Sequence, residues 1–156
     1  MTDLTLLAFC GLYCGACSHY RASLPEGQHL MDEAARRGRT QADFTCRGCR
    51  SGSRYIHPGC ANCAIRACAE AKGLLHCGLC PELTCERLAA FQHDGHIHHL
   101  DVIRQLEALA QAGPQDWLAE QARLWTCICG AAYSWYETIC VRCGAQLGSY
   151  AQDAGK

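Results

Sequence analysis

Residues 60–92, CANCAIRACAEAKGLLHCGLCPELTCERLAAFQ, contain the same device twice. CANCAIRAC (60–68) and CGLCPELTC (77–85) share the spacing C-x-x-C-x-x-x-x-C at an offset of seventeen residues, and each runs into helix-favouring residues, AEAKG or ERLAAFQ. Each unit reads as a tight thiol knuckle followed by a helix that carries one more thiol. On a helix, Cys63 and Cys68, like Cys80 and Cys85, lie five positions apart and face different directions. Cys68 and Cys85 are therefore expected to serve a different ion from the pair before them, or to fold back through a non-helical start.

Working outward, 15 cysteines among 156 residues are close to a tenth of the chain, which signals disulfides, metal or both. Three features select metal. The start, MTDLTLLAFC, has no basic n-region and does not resemble a secretory signal, so a cytoplasmic location is expected, where structural disulfides seldom persist. The count is odd. The thiols also fall in close pairs, and two thiols three residues apart suit one ion better than two bridges to distant partners. No run approaches the roughly 18 to 20 apolar residues of a membrane span, so no membrane partner is expected. A net charge of −1 with eight scattered histidines gives no basic footprint for coating nucleic acid.

The carboxyl-terminal group is WTCICGAAYSWYETICVRCGAQL, in which Cys127 and Cys129 face Cys140 and Cys143 across ten residues of alternating aromatic and polar character. It resembles a zinc ribbon: two knuckles each present two thiolates, glycines permit the turn behind the sulfurs, and the ion closes a tetrahedral site. Such a module has almost no core of its own, so zinc supplies much of its folding free energy. Cys46 and Cys49 in CRGC, with Cys60 and Cys63 in CANC, form a second four-thiolate set at ribbon-like separation. Arg47, Arg50, Arg54 and Arg66 lie close by in sequence, either offsetting the anionic centre or simply solvated. By elimination Cys68, Cys77, Cys80 and Cys85 make a third set, although an exchange of ligands between the second and third sets fits the same spacing.

The remaining triplet, Cys10, Cys14 and Cys17 in CGLYCGAC, lacks a fourth thiol. His19 or His76 can complete it, giving sixteen ligands for four tetrahedral ions. The same C-x-x-x-C-x-x-C spacing holds a [4Fe–4S] cluster in radical S-adenosylmethionine enzymes, but the match covers eight residues, no alternating strand–helix series follows, and the chain is too short for that barrel. An iron–sulfur carrier or redox protein using this triplet is the stronger rival to zinc, because thiolates ligate both and softness alone does not choose. The tract HDGHIHH, with His93, His96, His98 and His99, can bind a labile metal, but loop and helix-start positions explain it more simply.

The rest of the chain reads as helical. QHLMDEAARR (28–37) forms a short helix ended by Gly38. His99, Val102, Ile103, Leu106, Leu109 and Ala110 make one apolar stripe, and Trp117, Leu118, Gln121, Leu124 and Trp125 a second, with Gly113 and Pro114 between them. Two such stripes predict a helical hairpin whose apolar faces are core.

The order CGLYCGAC, CRGCR, then CANCAIRACAEAKGLLHCGLCPELTCERL resembles a cysteine-rich family of small prokaryotic proteins catalogued as a domain of unknown function, over about residues 8–92. The resemblance implies metal binding by Cys10 through Cys85 and supplies no reaction. The expected fold is α+β and mostly α: a cysteine-rich metal-binding domain over 1–92, a helical hairpin over 93–125 and a β zinc ribbon over 126–150. No nucleophile–base pair, phosphate loop or carboxylate dyad stands in a supporting context, so binding is expected in preference to catalysis. The expected function is a zinc-stabilised binding or adaptor module holding several Zn2+ ions. Its partner is a protein or a nucleic acid, for which Arg47, Arg50, Arg54 and Arg142 are the exposed basic candidates.

Overall fold

A computed structural model describes residues 3–52 and 56–152 of the chain. Its helices are α1 (Ser18–Ala22), α2 (Gln28–Arg36), α3 (Pro58–Ala61), α4 (Ala64–Ala71), α5 (Glu86–Gln92), α6 (Val102–Ala112) and α7 (Pro114–Leu124), joined by short 3-10 turns. The repeated device folds as expected in its first unit, where α4 carries Cys68, but differs in the second, where Cys85 precedes its helix and is not on it. Cys63 caps α4 with its sulfur accepting the Arg66 N–H, Cys77–Leu79 is a 3-10 knuckle, and Cys85 immediately precedes α5.

The hairpin of α6 and α7 turns at Gly113, whose φ of 82° is left-handed and suits a residue without a Cβ. Pro114 follows at the first helical position, where its missing N–H costs nothing. Val102, Leu106, Leu109, Trp117, Leu118 and Gln121 are buried, so both stripes are core, although Leu124 faces outward. Gln105 accepts from both Trp117 Nε1 and Gln121 Nε2 at 3.2 Å, satisfying two polar groups inside the hairpin. The helix over 28–37 runs from Gln28 to Arg36 and stops before Gly38, which has φ 77°.

Apolar packing gathers in two clusters. The first joins Leu7 and Phe9 to Ile65, Leu88, Leu106, Leu109 and Trp117; the second joins Ala16 to Trp125, Tyr133, Trp135 and Leu147. The second cluster therefore ties residues 125–147 to the first knuckle.

The β zinc ribbon expected over 126–150 is corrected here. Among the described residues there is no sheet; the segment has only isolated bridges, Thr126 with Ala132 and Ile139 with Gln146. The reason lies in where its backbone donors go. Cys127 N bonds Ala131 O and Cys140 N bonds Ala145 O within the knuckles, while Trp135 N donates to Ala16 O and Tyr150 N to Trp135 O. The backbone donors over 133–135 are thus split three ways, Tyr133 N to Trp125 O, Ser134 N to the Glu137 carboxylate and Trp135 N to the amino-terminal knuckle, so no ladder propagates.

Candidate metal centres

The carboxyl-terminal thiols are the tightest group. Cys127, Cys129, Cys140 and Cys143 place all four sulfurs within 4.8 Å of one another. Cys127 to Cys143 is 3.6 Å and Cys129 to Cys140 is 3.7 Å. A tetrahedral zinc ion with Zn–S bonds of about 2.3 Å separates its sulfurs by about 3.8 Å, so these side chains fit one ion. Both knuckles are built alike: Gly130 N returns to Cys127 O and Gly144 N to Cys140 O, with φ 84° and 76° at the two glycines. The N–H groups of Cys143 and Arg142 point at the Cys140 sulfur and lower its pKa to about 7. Against the favourable Ala145 N–H, the neighbouring Cys127 and Cys129 sulfurs hold Cys143 up at about 12.

The thiols of Cys46, Cys49, Cys60 and Cys63 interact with one another and with the amino-terminal triplet. Cys10 feels the charge of Cys49, Cys63 and Cys77, Cys14 that of Cys49, Cys17 and Cys10, Cys17 that of Cys46, and Cys60 that of Cys17, Cys46, Cys49 and Cys63. Burial pushes the Cys10, Cys14 and Cys17 thiols up, and backbone N–H groups of Leu12, Cys49 and Tyr20 partly oppose it. Such N–H groups aimed at sulfur are what a metal thiolate uses to disperse its charge.

The two histidines offered as a fourth ligand sit in different settings. His19 stacks on Phe44 and approaches the His57 ring to 3.8 Å between centroids, and its Nδ1 is buried without a partner. Burial and His57 hold its pKa down at about 4. His76 is 1% exposed, and its Nδ1 is also unpartnered. His19 lies two residues from Cys17 and packs on His57, which caps the helix that carries Cys60, while His76 directly precedes Cys77.

Cys68, Cys77, Cys80 and Cys85 line one cavity of about 330 Å³. Cys68 comes from α4, Cys77 and Cys80 from the knuckle, and Cys85 from the residue before α5. Thr84, the one non-glycine residue with positive φ among those described, turns the chain into Cys85. Two cations reach the sulfurs: Lys72 Nζ is 3.6 Å from Cys80 and an Arg87 nitrogen is 3.8 Å from Cys68. Sequence reasoning missed both, although Lys72 stands one helical turn beyond Cys68 and Arg87 two residues beyond Cys85.

The arginines expected near the second set are not all solvated. Arg50 donates Nε to Leu7 O at 2.7 Å, bonds Leu75 O, and lies 3.9 Å over the Phe9 ring; Arg66 donates to Ala61 O. Arg47 and Arg142 are exposed, and Arg54 lies outside the described residues. The histidine tract is more ordered than its loop character predicts. Asp94, His96 and His99 bring ligand atoms within 4.8 Å, His99 is buried against Phe91, and His98 stacks on Trp135 while bonding Tyr136.

Residues 6–90 match the family described as "Protein of unknown function (DUF3795)", more than half of the chain, and the chain belongs to that family. No curated protein and no solved structure matches it. Among the described residues no helix is long and apolar enough to cross a membrane.

Proposed function

We propose that this member of the family is a zinc-stabilised binding module, in which Cys127, Cys129, Cys140 and Cys143 hold a structural Zn2+ and the thiols from Cys10 to Cys85 hold further metal. The observation that carries the reading is the carboxyl-terminal sulfur geometry, with separations of 3.6 and 3.7 Å in a group spanning no more than 4.8 Å. The role of the ion is to fold its segment: the knuckles are short turns, and sulfur–zinc bonds replace the ladder that the segment lacks.

A protein partner is the better-supported occupant of the surface the ion maintains. Ile128 and Val141, within the two knuckles, are 95% and 65% exposed. Val141 and Ile139 also edge a cavity of about 680 Å³ between α2 and residues 134–141, whose rim carries His29, Glu33, Arg37 and Glu137. An apolar floor with a mixed-charge rim suits a protein side chain. Two of the arginines near the thiols, Arg50 and Arg66, are committed to backbone carbonyls, which leaves little basic surface for a phosphate backbone.

Metal analysis of protein purified without added chelator tests the zinc site. The parent is expected to carry one zinc equivalent that Cys140→Ser loses, with X-ray absorption reporting four sulfurs at about 2.3 Å. Equal zinc in parent and variant overturns it. For the partner, a double variant Ile128→Asp, Val141→Asp that keeps its zinc is expected to lose cross-linked protein that the parent retains; an unchanged cross-linking pattern overturns the binding role.

A further inference from the structure

We propose that Cys68, Cys77, Cys80 and Cys85 hold a [4Fe–4S] cluster in the cavity they line, and not a single metal ion. This goes beyond the zinc reading and does not depend on it, since the two sites share no residue.

The first argument is spacing. Among the described residues, the only groups of three or more ligating side chains with all ligand atoms within 4.8 Å are the carboxyl-terminal thiols and the Asp94, His96, His99 group. No three of Cys68, Cys77, Cys80 and Cys85 approach that closely, yet all four face the same cavity. One tetrahedral ion requires sulfurs about 3.8 Å apart. A cubane interposes four irons instead of one and so sets its cysteine sulfurs farther apart than a single ion does. The four thiols thus share one cavity without closing on a single-ion point, unlike the carboxyl-terminal set.

The second argument is the cavity. Its volume of about 330 Å³ is far more than an ion between thiolates needs, and Ile65, Ala69, Leu74 and Leu88 supply an apolar lining. An apolar, partly dry wall protects bridging sulfides from water. Leu88 is 2% exposed and Ala69 1%, so that wall is also part of the first core cluster and is held rigid.

The third argument is charge. A [4Fe–4S] core with four thiolates carries a net charge of −2 in its resting state; Glu82 and Glu86 also line the cavity, but the groups that reach the sulfurs are cations, Lys72 at Cys80 and Arg87 at Cys68. Lys72 is braced by its ion pair with Glu82, which keeps the ammonium at the cavity mouth. Hydrogen bonds to ligating sulfur raise a cluster's reduction potential.

The test is anaerobic reconstitution of the full chain with ferrous iron and sulfide, read as iron and acid-labile sulfide per chain, with zinc counted in the same samples. Cys68→Ser and Cys85→Ser are each expected to lose four iron and four sulfide relative to the parent while keeping carboxyl-terminal zinc. A parent that takes up no sulfide overturns the proposal, as do folded variants with the parent's full iron and sulfide. If the serine variants do not fold, Lys72→Met and Arg87→Met, which retain all four thiols, carry the test. Each is expected to keep the cluster and shift its midpoint potential to a more negative value; identical midpoints and electron paramagnetic resonance spectra in both overturn the assignment. Loss of zinc alone in Cys140→Ser, with iron unchanged, separates this site from the zinc site.

Discussion

Arg50 illustrates how single side chains organise this small protein. Its guanidinium joins the Leu7 and Leu75 carbonyls, two segments that meet nowhere in sequence, and lies flat on Phe9. Arg50→Met keeps the stem but leaves two carbonyls without donors, and is expected to lower stability by about 2–3 kcal/mol in a denaturant titration. Arg50→Lys is expected to recover little, because an ammonium lacks the planar fork that spans both acceptors. His98 gives a pH-dependent counterpart. Burial beside Trp135 is the main reason its pKa is depressed to about 3, with His99 and His96 adding repulsion and Asp94 opposing them. The unfolded chain, with its imidazole near 6.5, binds the proton more readily than the folded one. The stability this provides is complete above about pH 6.5 and is lost as pH falls from there toward 3. Allowing for partial solvent screening, the cost between pH 7 and 5 is roughly 1 kcal/mol. His98→Phe is expected to flatten the unfolding profile over that interval relative to the parent.

At the level of elements, the hairpin of α6 and α7 supports the knuckles from behind. Leu106 is fully buried, and a Cβ added at Gly78 in the Cys77–Leu79 turn would collide with the Leu106 carbonyl oxygen. Leu106→Ala is expected to cost about 3 kcal/mol, and Gly78→Ala about 2 kcal/mol by forcing the turn off the helix, both measurable as falls in denaturation midpoint. This level was also the most legible in the sequence. The hairpin followed from apolar residues at helical spacing around Gly113-Pro114, and the knuckle-plus-helix repeat from two equal spacings. The set Cys68, Cys77, Cys80 and Cys85, suggested by elimination, lines one cavity. What stayed hidden depended on partners distant in sequence. Alternation at Tyr133 to Tyr136 states that side chains face two ways, but not that Trp135 N will find Ala16 O before a neighbouring strand. Likewise, C-x-x-C fixes a local loop and does not say that Cys10 will feel thiols as distant in sequence as Cys49, Cys63 and Cys77.

For the whole molecule, the two apolar clusters make different demands on metal. The first contains Leu7, Leu88, Leu106 and Leu109, each no more than 2% exposed, and includes the hairpin. The second contains Cys127 and Cys140 themselves among Trp125, Tyr133 and Trp135. Removing zinc with a strong chelator is therefore expected to open the second cluster first. Fluorescence from Trp125 and Trp135 would move to the red while helical circular dichroism from α6 and α7 largely persists. Coincident loss of both signals would show that the clusters unfold as one unit. His29 bound to Glu137 at 2.5 Å adds a polar tie between α2 and the same carboxyl-terminal segment.

The bond from Trp135 N to Ala16 O also imposes an order on biosynthesis. Ala16 is fully buried in the finished protein, under a segment that is made more than a hundred residues later. At about 5–20 residues per second, Cys17, which packs on the second cluster, leaves the ribosome on the order of ten seconds before that cluster can close over it. During that interval the nascent chain offers naked thiols to whatever oxidant or metal is nearest. A metal bound at the first knuckle during that interval would shield its sulfurs before the carboxyl-terminal segment arrives.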